Sequence, residues 1–223
     1  MHQYKSKKIF IYFFLLFFLG SIQNTNLNIN NFKNNYFIKV SGLGEIENQK
    51  IIKEIKNSNL ENIFFMKKGQ IYEIINNNSL VESFKIFKIY PNTLDIKIEK
   101  TIYLAKISKE KKIFIIGTNG KLLKNQPYNN ELPFIFGNPK INEFLEIKKV
   151  IDKSKFSFDE IKNLYFFPSK RWDLKFKNNI FLKLPKDHIA DTLEHVFKIM
   201  NEKNFKKITS IDARINNQLI LND

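Results

Sequence analysis

The chain has 223 residues, 37 Lys and Arg against 22 Asp and Glu, a formal net charge of +15 and no cysteine. Without a thiol there is no disulfide framework and no thiolate metal site, and a hydrophobic fraction of 43% with 23 phenylalanines excludes intrinsic disorder. The positive charge does not by itself indicate nucleic acid: it is spread along the chain, and only Arg171 and Arg214 offer the bidentate guanidinium that base and phosphate recognition favours.

Lys5, Lys7 and Lys8 precede an uninterrupted apolar run, Ile9 to Leu19, and the next charge is Lys33. Lysines in front of such a run stay cytoplasmic and direct the downstream chain across the membrane. From Ile9 to Ile22 the run covers only about two-thirds of a hydrocarbon core. That length suits a signal-peptide core, but Gly20-Ser21-Ile22 offers no small-x-small cleavage site, and the uncharged stretch Gln23 to Asn31 would complete a thin or tilted span. An uncleaved anchor over 9–31 behind a cytoplasmic tail of residues 1–8 and a cleaved signal ending near residue 22 both stand, and both place residues 33–223 outside the cytoplasm.

Residues 36–100 read in the order β-α-α-β-β. Tyr36 to Val40 is a strand stopped by Ser41-Gly42-Leu43-Gly44. Ile51, Ile52 and Ile55 recur at helical spacing, with Asn48 as N-cap. Ile71, Ile74 and Ile75 mark a second helix ended by Asn76-Asn77-Asn78, and a strand runs from Val81 to Ile89. After Tyr90-Pro91-Asn92, Leu94, Ile96 and Ile98 alternate with Thr93, Asp95, Lys97 and Glu99, the clearest strand signal in the chain.

Beyond Lys100 the pattern is mainly β. Ile113 to Ile116 and Leu122-Leu123 flank Asn119-Gly120, which predicts a type I′ hairpin. A short strand lies in Leu132 to Gly137, and a helix over Ile141 to Ile151. Trp172, Leu174 and Phe176 form one strand face and Ile180, Leu182 and Leu184 another, separated by Asn178-Asn179. Ile189, Leu193, Val196, Phe197 and Met200 then share one face of a helix opened by Pro185 and Asp187, and strand patterns close the chain at 208–215 and 218–221. No low-complexity linker separates the halves, so they are expected to abut.

No catalytic constellation emerges. His188 and His195 stand seven apart on one helix, about 10 Å along its axis, too far to share a metal. Ser108 to Lys111 fits a Ser-x-x-Lys pattern that a lysine-rich chain produces by chance, and Asp152, Asp159 and Glu160 have nothing to hold them in a cleft. No catalytic residue, metal ligand or cofactor is predicted.

Several segments together resemble the bacterial cell-division family FtsQ/DivIB. They are Phe37-Ile38-Lys39-Val40-Ser41-Gly42, Asn62-Ile63-Phe64, Tyr90 to Glu99 with Leu104-Ala105, Leu132-Pro133 with Gly137, Arg171-Trp172-Asp173-Leu174, Leu182 to Pro185, and Ile211-Asp212-Ala213-Arg214. The resemblance implies an α+β chain: a single anchor, a POTRA domain over 36–102 and a mainly antiparallel β-domain with flanking helices over 103–223. It also implies a non-enzymatic scaffold of the inner membrane at the division septum, holding coiled-coil membrane partners of the FtsB and FtsL type. It places the partner-binding edge at Arg214, Ile215, Asn217, Leu219 and Leu221, and a recruitment surface at Ile86 and Lys88. Ile215 stands where the family has an aromatic, which predicts a less polar contact. On the residues alone, Ile86 reads equally well as core and Lys88 as a solvated charge. Two rival readings are a secreted or membrane-associated basic binding module with its signal removed, and a POTRA-containing component of outer-membrane assembly.

Overall fold

The computed structural model describes residues 7–21, 36–58, 68–124, 131–201, 208–215 and 218–222. Lys7–Ser21 form a 15-residue helix, α1, exposed from Lys8 to Gly20. No helix among the described residues is long and apolar enough to cross a membrane. Of the predicted anchor, residues 22–31 lie outside the described residues, as does the Asn62-Ile63-Phe64 segment.

The predicted order β-α-α-β-β appears as β1 (Phe37–Ser41), α2 (Glu45–Asn57), α3 (Lys68–Asn77), β2 (Val81–Ile89) and β3 (Thr93–Lys100). β3 is central, with β1 parallel on one side and β2 antiparallel on the other. Ile51 and Ile55 of α2 and Ile71 and Ile75 of α3 bury completely against Leu94, Ile96 and Ile98, so the helical and strand periodicities meet in one core. Gly42 is required where β1 ends: at φ +120° a Cβ would stand 1.8 Å from the Ile98 carbonyl oxygen. Asn48 does not cap the first helix as expected. The helix begins earlier, at Glu45, and Asn48 Oδ1 instead accepts the Leu43 N–H at 3.2 Å, fixing the entry turn.

The rest of the chain builds a nine-stranded sheet from β4 (Tyr103–Lys109), β5 (Lys112–Gly117), β6 (Leu122–Leu123), β7 (Phe134–Phe136), β8 (Ile161–Phe166), β9 (Trp172–Phe176), β10 (Phe181–Lys183), β11 (Ser210–Asp212) and β12 (Ile220–Asn222). In space the order is β12-β11-β10-β9-β8-β7-β4-β5-β6. The sheet is mainly antiparallel, as expected, but mixed, with parallel joints at β4–β7, β7–β8 and β10–β11. The helices α4 (Ile141–Lys153) and α5 (Ile189–Met200) are the reason for two of these. Each lies in a crossover, between β7 and β8 and between β10 and β11, and a crossover returns the chain parallel to its start. Both helices pack on one face of the sheet: Phe144, Ile147, Ile151, Leu193 and Val196 meet Leu164, Trp172, Leu174, Leu182 and Ile211 in a single buried cluster.

The type I′ turn expected at Asn119-Gly120 is elsewhere. Glu110 and Lys111, both at positive φ (50° and 61°), make that two-residue turn between β4 and β5. At Thr118-Asn119-Gly120 only Gly120 has positive φ, and the Gly120 N–H reaches the Gly117 carbonyl, a longer turn with a left-handed glycine. That longer turn locks the two halves together. Asn119 Nδ2 donates to the carbonyls of Ser79 and Val81, each at 2.9 Å, Thr118 Oγ1 donates to Glu82 Oε2 at 2.6 Å, and Lys121 Nζ reaches the Asn76 carbonyl at the end of α3. Ile115 and Leu123 are buried in the core of the first unit, so the halves abut through shared packing as well as hydrogen bonds.

Candidate functional site

The edge strand β12 is positioned by a chain of alternations that can be followed residue by residue. The Ala213 N–H donates to the Lys183 carbonyl, so the backbone of Ile211 and Ala213 faces β10. Ser210 and Asp212 therefore face β12, where they oppose Asn222 and Ile220. By the same alternation the N–H and C=O of Leu221 point outward, with no strand beyond them among the described residues. The Leu221 side chain is 39% exposed and Ile215, just before the strand, 56% exposed, an apolar fringe along an open ladder.

Beside this edge, between α5 and the β11–β12 connection, lies a groove of about 660 Å³. Ala213, Ile215 and Leu219 line its apolar side, and His188, Asp191 and His195 its polar side. His188 Nδ1 is 3.9 Å from Asp191 Oδ2, a distance that orients without binding tightly. The histidines thus belong to the surroundings of an edge, a placement that their spacing on one helix did not reveal.

The predicted edge residues are distributed unequally over this geometry. Arg214 is exposed but clasped within the chain: its Nε lies 2.8 Å from Asp212 Oδ1 and its Nη2 2.5 Å from Asp212 Oδ2. Leu219 is half-buried and packs against the helix-side core, while Leu221 stands in the edge itself. Asn217 lies outside the described residues. Ile86 and Lys88 are both half-buried on β2, opposite Ile96 and Leu94, and Ile86 packs against the core of the first unit. They are well over a domain away in sequence from the β12 edge and share no element with it.

Two carboxylates near the edge are tuned in opposite directions. The Arg214 guanidinium holds Asp212 below the ordinary aspartate range, with Lys183 at 3.8 Å adding to the effect. Burial pushes Asp173 up despite its bond from Arg171 Nε at 3.1 Å, since this carboxylate is 2% exposed. The two shifts have opposite consequences for stability. The Asp212 contribution is complete above the ordinary aspartate range and is lost as pH falls through its lowered folded value. Ionising Asp173 costs stability as pH rises from that range through its raised folded value. In urea melts of the full-length chain between pH 3 and 7, the stability gap between the parent and Asp212→Asn should widen as pH rises, to about 1–2 kcal/mol. The parent should instead lose ground to Asp173→Asn over the same climb. Gaps that move in the same direction would refute this assignment.

Known proteins match this chain along the same division. A family model described as cell division protein FtsQ/DivIB, C-terminal, matches residues 105–214, and one described as POTRA domain, FtsQ-type, matches residues 37–100. Cell division protein DivIB of Clostridium tetani is 27% identical over 194 residues, 77% of this chain and 73% of that protein. DivIB of Clostridium botulinum is 36% identical over 109 residues, 45% of this chain and 42% of that protein. The solved major extracytoplasmic domain of DivIB from Geobacillus stearothermophilus, in its trans isomer, aligns with 45% of this chain and 92% of its own at 16% identity, with a TM-score of 0.35.

Proposed function

Since the chain belongs to the FtsQ/DivIB family of cell-division proteins, we propose that it is a non-enzymatic scaffold of the divisome, anchored in the inner membrane through residues 9–31. On this reading the 36–102 POTRA unit and the 103–223 β-domain stand outside the cytoplasm at the septum. There they hold FtsB- and FtsL-like coiled-coil partners, with Ile86 and Lys88 as a second, recruiting surface. The observation that carries the reading is the open edge of β12, whose outward backbone groups at Leu221 suit a partner strand added by main-chain hydrogen bonds. Ile215 and Leu219 beside the groove supply the apolar contacts that such an added strand needs for specificity. Arg214 contributes less directly than the resemblance implies, because its fork is already occupied by Asp212.

The test is isolation of the full-length chain from detergent-solubilised membranes, with mass spectrometry of its N-terminus and of the proteins that accompany it. An intact first residue together with two small coiled-coil membrane proteins is the expected result. A chain that begins near residue 22 and brings no such partner would overturn the scaffold reading in favour of a secreted binding module.

A further inference from the structure

The nine-stranded sheet has a second face, opposite α4 and α5, and the proposed edge does not use it. At its β5–β6 end this face is covered by the first unit, which buries Ile115 and Leu123. Across β7, β8 and β10 it carries Phe134, Phe136, Tyr165 and Phe181 in one continuous row. Successive ring centroids are 4.8, 4.9 and 5.4 Å apart. Phe136 and Tyr165 are stacked within 9° of parallel and Phe136 is 44% exposed. Lys106, Lys175 and Lys183 stand on the same face by register, opposite Phe134, Phe181 and Asp173 respectively.

The electrostatics of this face are one-sided. Asp173 and Asp212 are the only acidic residues in the nine strands, and of the lysines in those strands Lys106, Lys175 and Lys183 share this face. Both carboxylates are committed, Asp173 to Arg171 and Asp212 to Arg214 and Lys183. Lys106 and Lys175 have no carboxylate partner among the described residues. Phe136 and Tyr165 cover each other's faces by stacking, and the tilted contacts on either side, both at 52°, bring ring edges, which carry the positive end of the ring quadrupole, against ring faces, so little open face is left along the row. Glycans and bases need open ring faces on which to lie, whereas positive ring edges beside uncompensated ammonium groups complement carboxylates set among apolar side chains.

We propose that this row is a docking surface for an acidic, apolar segment of a protein partner, seated across Phe136, Tyr165 and Phe181 with its carboxylates on Lys106 and Lys175. The surface is independent of strand addition at β12. A photoreactive p-benzoylphenylalanine placed at Phe136 or at Phe181 of the full-length chain, in dividing cells, tests it when the adduct is digested and sequenced by mass spectrometry. The expected adduct is a peptide of net negative charge with apolar residues, reduced at least tenfold by Lys106→Glu combined with Lys175→Glu in a chain whose melting temperature is unchanged. Attachment to lipid, glycan or nucleic acid, to a peptide without excess acidic residues, or to nothing would overturn the proposal, as would indifference to the two charge reversals. The same probe at Leu221 reports on the β12 edge separately, so the strand-addition reading and this one fail independently.

Discussion

Leu221→Pro should weaken capture of the coiled-coil partner by at least tenfold while leaving the melting temperature of the chain within about 2 °C of the parent. The asymmetry stems from where the Leu221 N–H points. In β12 the groups of Ile220 and Asn222 face β11, so the ladder inside the chain does not use the Leu221 donor, and a proline there removes no internal bond. An added strand would use it. One lost main-chain hydrogen bond is worth about 0.5–1.5 kcal/mol, and the pyrrolidine ring also obstructs the approaching backbone, which together exceed the roughly 1.4 kcal/mol of a tenfold change. Leu221→Ala is the necessary comparison, because it keeps the N–H and trims a side chain that is already 39% exposed. Binding by the alanine variant and not by the proline variant would locate the energy in the backbone. Equal binding by both would exclude strand addition at this edge. Leu219→Lys would discriminate less well, since Leu219 also packs against the helix-side core and its loss would disturb the fold and the edge together.

The elements that sequence reading recovered share one physical property: each was decided by its own side-chain period. β2 runs from Val81 to Ile89 as expected, Leu94, Ile96 and Ile98 are buried on one face, and the apolar face of α5 is the face that packs. Elements decided by their neighbours were harder to read. β4 and β8 were not singled out, because Tyr103 to Lys109 and Ile161 to Phe166 lie deep in the sheet, where both faces draw on mixed residues. Asp173 alternates with the core residues Trp172 and Leu174 and yet is buried as they are, bonded to Arg171, which no period in its own strand announces. The type I′ turn went to Glu110 and Lys111 without an asparagine or glycine, since a tight register between Lys109 and Lys112 leaves only two residues to turn. The candidate site shows the same division. Period placed a strand at 218–221 and the family resemblance named it as an edge, but only tertiary placement reveals that Arg214 is occupied by Asp212, that the two histidines flank a groove, and that four aromatic rings from three separate strands form a row.

Leu193→Asp should unfold the β-domain at neutral pH, and the chain carries its own reporter for that event. Leu193 has no exposed surface and lies in the cluster that joins α4, α5 and the sheet. The residues around it in that cluster are apolar, so the variant loses the apolar side chain, roughly 2–5 kcal/mol on truncation alone. It must also bury an unpaired charge or keep it protonated, at several kcal/mol more. Domains of this size rest on about 5–15 kcal/mol in total. Trp172 is the only tryptophan of the chain, 4% exposed and in the same cluster as Leu193. Its emission therefore reads this core and not the separate cluster built on Ile51, Ile71 and Leu94. The expected spectrum of Leu193→Asp is the red-shifted one that the parent gives only in denaturant. His195→Asp, two residues along on the exposed side of the same helix, should leave the emission where it is. A blue emission and an ordinary melt from Leu193→Asp would mean that α5 does not seat this residue in the core, and the groove and edge built upon that helix would have to be placed anew.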